Sequence, residues 1–155
     1  MSTGNILKTT ASRLSGAGWW LALDNRYNSN TEGIGFSVNS SAYNSSYHAR
    51  GTTSNFKYNI NQWNNLVAVW DGVNKNILIY LNNALTTTTQ TQNAGGGLAG
   101  VTNTDSNTNN IIGAYTNGSS YNFPGKISQT IIYNKVLSAN EVKQNFNATR
   151  GRYGI

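Results

Sequence analysis

Two apolar runs joined by a short polar link constrain this chain more than any other feature: Trp63-Asn-Asn-Leu-Val-Ala-Val-Trp70, then Asp71-Gly-Val-Asn74, then Lys75-Asn-Ile-Leu-Ile-Tyr-Leu81. Both arms are rich in β-branched and aromatic residues, and Asp-Gly is a turn former, so the unit reads as a β-hairpin. From Leu66 onward the first arm is apolar at successive positions. Side chains alternate across a strand, so both of its faces must be covered, which predicts a central strand. A chain that builds around such a hairpin is expected to be all-β.

The rest of the sequence supplies further strands of the same kind. Gly18–Asp24 and Gly33–Asn39 flank the polar turn Asn25–Thr31, and in the second of them Ile34, Phe36 and Val38 alternate with Gly35 and Ser37. Tyr43–Arg50 and Asn55–Ile60 are weaker strand candidates on either side of a Gly51-Thr-Thr-Ser turn, and Asn82-Asn83 turns the chain into a Thr-rich strand over Ala84–Gln92. Ala94–Asn110, rich in Gly, Asn and Thr, is expected to be a long surface loop. Strands are predicted again over Asn110–Tyr115 and Gly125–Tyr133, where Ile127, Gln129 and Ile131 alternate with Ser128, Thr130 and Ile132.

One helix is expected, near residues 139–149. Ser138-Ala-Asn-Glu141 is a capping box, Leu137 and Val142 occupy the two positions of a hydrophobic staple, and Val142 and Phe146 share one face. Gly151 is placed to end it.

Composition narrows the function. Charged residues are 10% of the chain, so the surface is built mainly from neutral hydrogen-bonding side chains. The formal charge of +6 is spread over singly scattered Lys and Arg, with Lys143, Arg150 and Arg152 the one cluster, at the helix end. A nucleic-acid partner is therefore not expected. There is no cysteine. No apolar run approaches the roughly eighteen residues of a membrane span, and MSTGNILKTT lacks the basic-then-apolar order of a signal peptide.

The order W-x-x-L-V-A-V-W-D, I-L-I-Y-L-N-N, I-I-G-A and F-P-G-K-I-S-Q-T-I-I-Y-N-K-V-L-S-A-N-E-V resembles the concanavalin A-like lectin and glucanase superfamily, in its laminin-G-like branch. The resemblance implies one domain over residues 1–155: a concanavalin A-like antiparallel β-sandwich, or jelly roll, with one short C-terminal helix. It also implies one or two leading strands before the segment Gly4–Thr10, pairing with Leu66–Trp70 and Lys126–Tyr133, and Met1 arrives too late to supply them. Either Met1–Thr10 folds back over that edge or another chain donates a strand, and donation is the expected solution. The ending S-A-N-E-V-K-Q-N-F-N-A-T-R-G-R-Y-G-I is similar to the C-termini of laminin-G-like domains on structural proteins of phages and other viruses. That likeness implies a virion structural, decoration or fibre protein, at a virion surface or outside the cell, with other virion subunits or copies of itself as partners.

Catalysis is not expected. A glycosidase needs two carboxylates about 5 to 10 Å apart in one cleft, whereas the acids here are Asp24, Glu32, Asp71, Asp105 and Glu141, with Asp71 in a turn and Glu141 in a helix cap. His48 is the sole histidine and no nucleophilic triad can be assembled around it. The alternative function is a carbohydrate-binding module or adhesin for a cell-surface glycan. Rings and hydrogen-bonding groups suited to a sugar are Trp20, Asp24, Asn25, Arg26, Tyr27, Tyr47 and His48. Asp24, Asn25 and Asn28 offer oxygens to a calcium ion, although the same residues suit an Asx turn that simply closes the hairpin. Trp19 and Trp20 are adjacent and so must lie on opposite faces of their strand.

Overall fold

The computed structural model describes residues 5–8, 18–24, 33–39, 45–51, 61–74, 76–86, 88–94, 111–114 and 122–155. Among them are strands β1 (Asn5–Lys8), β2 (Gly18–Asp24), β3 (Gly33–Asn39), β4 (Ser45–Gly51), β5 (Leu66–Asp71), β6 (Asn76–Leu81), β7 (Ala84–Leu85), β8 (Thr88–Ala94) and β9 (Ile111–Ile112), followed by helix α1 (Ala139–Tyr153). All the pairings are antiparallel. The strands form a six-stranded sheet in the order β8-β4-β3-β2-β1-β9 and a three-stranded sheet in the order β5-β6-β7. The expected strand-rich fold with one C-terminal helix is present. The predicted strand Asn55–Ile60 and the loop beyond Ala94 lie outside the described residues.

The β5–β6 hairpin forms as its sequence dictates, with Leu66 opposite Leu81 and Asp71 opposite Asn76. Its turn is closed by a carboxylate: Asp71 Oδ1 accepts from the Val73 and Asn74 amides, each at 3.0 Å, and Oδ2 accepts from Asn74 Nδ2 at 2.6 Å. These bonds, led by the Asn74 amide, hold the Asp71 carboxyl below its ordinary pKa. At the other end of β6, Asn82 and Asn83 both adopt positive φ, 48° and 68°, as a two-residue type I′ turn into β7 requires.

Alternation then sorts the core into two layers. Ile77 and Ile79 of β6, with Leu66, Ala68 and Trp70 of β5, meet Leu21, Ile34, Phe36 and Val38 of the larger sheet. The opposite face of the hairpin, carrying Val67, Val69, Leu78 and Tyr80, meets Leu137 and Val142 of the helical segment. The order is six-stranded sheet, hairpin sheet, helix. Among the described residues β5 stands at the end of its sheet, and layers cover it above and below; whether a second strand flanks it, as the sequence predicts, falls on segments outside the described residues.

Three expectations change. Ala84–Gln92 is not one strand: Thr86 donates its amide to Ile79 O at 2.8 Å and its hydroxyl to the same oxygen at 2.7 Å, after which the chain leaves β6 and joins β4 as β8. Within Asn110–Tyr115 the described strand is Ile111–Ile112, which Gly113 at φ 82° ends by leaving the extended region, while Asn110 and Tyr115 lie outside the described residues. Gly125–Tyr133 runs without a turn or bend from Lys126 but joins no ladder among the described residues.

The helix begins as predicted. Ser138 Oγ accepts from the Glu141 amide at 3.3 Å, and Glu141 Oε2 accepts from the Ser138 amide at 2.8 Å. Leu137 and Val142 are buried together as the staple requires. It does not stop at Gly151, which sits inside the last turn. The left-handed residue is Gly154, at φ 67°, and the amides of Gly154 and Ile155 both reach Arg150 O. An exposed glycine is tolerated inside a helix at a cost of about 1 kcal/mol. The added turn is held by Tyr153, whose ring lies 5.3 Å from that of Trp63.

Two outcomes test this account. Ser138→Ala should lower stability by about 1 kcal/mol in denaturant unfolding, since an amide at the helix start loses its acceptor. The Glu141 carboxyl is pushed down to about 2 from 4.5, first by the Lys135 ammonium and then by the Ser138 amide and hydroxyl. A depressed carboxyl contributes stability that is full above its unfolded value and is lost as pH falls through its folded one. Melting temperatures taken between pH 5 and pH 2 should therefore fall more steeply for the wild type than for Glu141→Gln.

Candidate functional site

Every antiparallel register position places two residues on the same face of a sheet. In the larger sheet one transverse row runs Lys8, Trp20, Ser37, His48, Thr91, and the next runs Ala22, Gly35, Arg50, Thr89, with Asp24 opposite Gly33 beyond it. The intervening rows are Trp19, Val38, Tyr47, Gln92 and Leu21, Phe36, Ala49, Gln90. Leu21, Ile34, Phe36 and Val38 are buried against the hairpin, so the Trp19 and Leu21 rows lie on the core face. Trp20, Asp24 and His48 lie on the other.

On the face away from the core the register sets Ala22, Gly35 and Ser37 at neighbouring positions, in the same two rows as Trp20, His48, Arg50, Thr89 and Thr91, and Gly35 is buried. Neighbouring strands are about 4.8 Å apart, so Trp20 and His48, two strands from each other, stand about 10 Å apart.

The predicted site residues separate under this register. Trp20, Asp24 and His48 are brought to one face, while Tyr47 falls on the core-facing row with Val38 and Trp19 and does not join them. Adjacent residues of one strand cannot share a face, so Tyr47 and His48 could not both belong. Asn25, Arg26, Tyr27 and Asn28 lie outside the described residues, and with them most of the expected calcium ligands. Among the described residues no group of three or more His, Cys, Asp or Glu side chains is placed to hold a metal. Arg50, Thr89 and Thr91 had no signal of their own in the sequence. The alternation of Gly35 and Ser37 with Ile34, Phe36 and Val38 was the feature that could have marked the face away from the core.

Two of the five acids are committed elsewhere, Asp71 to its turn and Glu141 to the helix cap and Lys135. Neither faces the candidate surface.

Two antiparallel sheets with one C-terminal helix behind the smaller of them define a strand-rich domain. The family model described as the concanavalin A-like lectin/glucanases superfamily, in its laminin-G-like form, matches residues 5–143, and the chain belongs to that family. No curated protein and no solved structure matches it.

The division of the two tryptophans is testable. Trp19 is partly buried, with its ring centroid 6.4 Å from that of Phe36. Trp19→Ala should cost about 2–3 kcal/mol in denaturant unfolding, whereas Trp20→Ala on the opposite face should change stability by less than about 0.5 kcal/mol.

Proposed function

We propose that this domain binds carbohydrate without transforming it, through the outer face of the six-stranded sheet. The observation that carries the reading is the register row Trp20, Ser37, His48, Thr91 on the face away from the core. An indole can take the apolar face of a pyranose, while hydroxyl, imidazole and guanidinium groups meet its edge. The superfamily match supports a fold of the carbohydrate-binding type. The absence of catalysis is part of the proposal, supported by the structural engagement of Asp71 and Glu141. Calcium is proposed as an accessory, held near Asp24 at the end of β2, where one carboxylate and loop oxygens would orient the polar turn that follows.

A glycan array followed by calorimetry on its best ligand provides the test. Trp20→Ala and His48→Ala should each weaken binding at least about tenfold, a loss of roughly 1.4 kcal/mol or more. Tyr47→Phe should leave affinity unchanged. Chelation of calcium, or Asp24→Ala, should reduce affinity in parallel. An array with no saturable ligand, in the presence or absence of calcium, would overturn the reading.

A second reading is favoured by a different observation, the exposed apolar run Ile131, Ile132, Tyr133 and Val136 on a segment that belongs to no sheet. Such a run suits a building block whose surface is completed in an assembly. In this reading the chain is a structural or decoration element of a virion, working at the particle surface with copies of itself or other virion subunits.

A further inference from the structure

The charged residues in the strands of the larger sheet are Lys8, Asp24 and Arg50, and the same strands hold His48. The register puts all of them on the face away from the core. Lys8 on β1 is the partner of Trp20 on β2, and His48 and Arg50 lie two strands away on β4, so a cationic residue stands on each side of the indole position. Asp24 is at the far end of β2, about 13 Å from Trp20 at the rise of an extended strand. That exceeds the Debye length of about 8 Å at physiological salt, so a ligand lying across Trp20 towards β4 meets the cations while the acid is screened from it.

We propose that the saccharide bound on this face is acidic, a uronic acid whose ring lies on Trp20 and whose carboxylate is taken by Arg50. The proposal rests on the carbohydrate reading above and names the class of sugar that reading leaves open. A guanidinium presents parallel N–H donors in a planar fork, which matches both oxygens of a carboxylate and fixes the orientation of the ring that carries it. Lys8 adds attraction as a point charge without that directional demand. The strand spacing of about 4.8 Å and the rise of about 3.4 Å per residue set the Trp20 and Arg50 positions about 12 Å apart. A pyranose with its exocyclic carboxylate, together with the length of an arginine, spans that gap. Ser37 and His48 continue the row from Trp20 towards β4, on the side to which the sugar's hydroxyls extend.

The probes are oligomers of glucuronate, galacturonate and mannuronate, each measured by calorimetry beside its carboxyl-reduced counterpart, which keeps the ring and loses the charge. At least one acid should bind at least about tenfold more tightly than its neutral form, and the preference should shrink as salt is raised from about 50 mM to about 500 mM. Arg50→Gln should bring the acid-to-neutral affinity ratio to within about twofold of unity, with far-ultraviolet circular dichroism unchanged. Arg50→Lys, which keeps the charge and loses the fork, should retain only part of the ratio. Trp20→Ala should weaken the acid and its neutral form in the same proportion. Three results would overturn the proposal while leaving the carbohydrate reading in place: neutral oligomers bound as tightly as their acids, a ratio that survives Arg50→Gln, or sulfated oligosaccharides bound in place of uronic acids. A chain that binds neither acidic nor neutral saccharide overturns both.

Discussion

Two-sided burial of the β5–β6 hairpin is the constraint on which the rest of the structure depends. One set of its alternating side chains, with Ile77 and Ile79 almost fully buried, has to meet the six-stranded sheet. The other set, with Val69 and Tyr80, has to meet something else, and the capped helix with its staple residue Leu137 supplies it. Remove either cover and a strand built for a dry environment would present β-branched side chains to water. The helix is therefore a third layer, and its capping box matters because it fixes where Leu137 and Val142 enter that layer.

The same alternation that buries one face of the larger sheet frees the other. Once Leu21, Phe36 and Val38 are committed inward, the intervening positions Trp20, Ala22, Gly35, Ser37, His48 and Arg50 fall on the opposite face by alternation. The carboxylates that give the structure its sharpest local order, Asp71 and Glu141, lie at a hairpin turn and a helix start, apart from that face.

Hydrogen bonding along the strand edges follows a different logic from side-chain burial. In the larger sheet strand pairing runs unbroken from β8 to β9, with one register shift between Asn5 and Leu7 of β1. In the smaller one the layers above and below β5 are complete while its outer edge has no described neighbour. An apolar pattern reports that a strand will be covered, but covering by layers and pairing by strands are separate requirements, and a sequence pattern does not distinguish them.

That distinction divides what was legible in advance from what was not. Local chemistry was sufficient for the hairpin, the Asn82-Asn83 turn, the strands Gly18–Asp24 and Gly33–Asn39, and the start of α1, because each is specified by residues within a few positions of one another. The opposition of Trp19 and Trp20 followed equally from the two-residue period of a strand. Which tryptophan faced outward did not, and neither did the separation of Tyr47 from His48 by face, the grouping of Arg50 and Thr91 with Trp20, or the sheet change at Thr86. Those depend on register between segments far apart in the chain. The helix end moved from Gly151 to Gly154 for a related reason: two glycines were locally competent to stop it, and the contact of Tyr153 with Trp63, a residue ninety positions earlier, selected the later one.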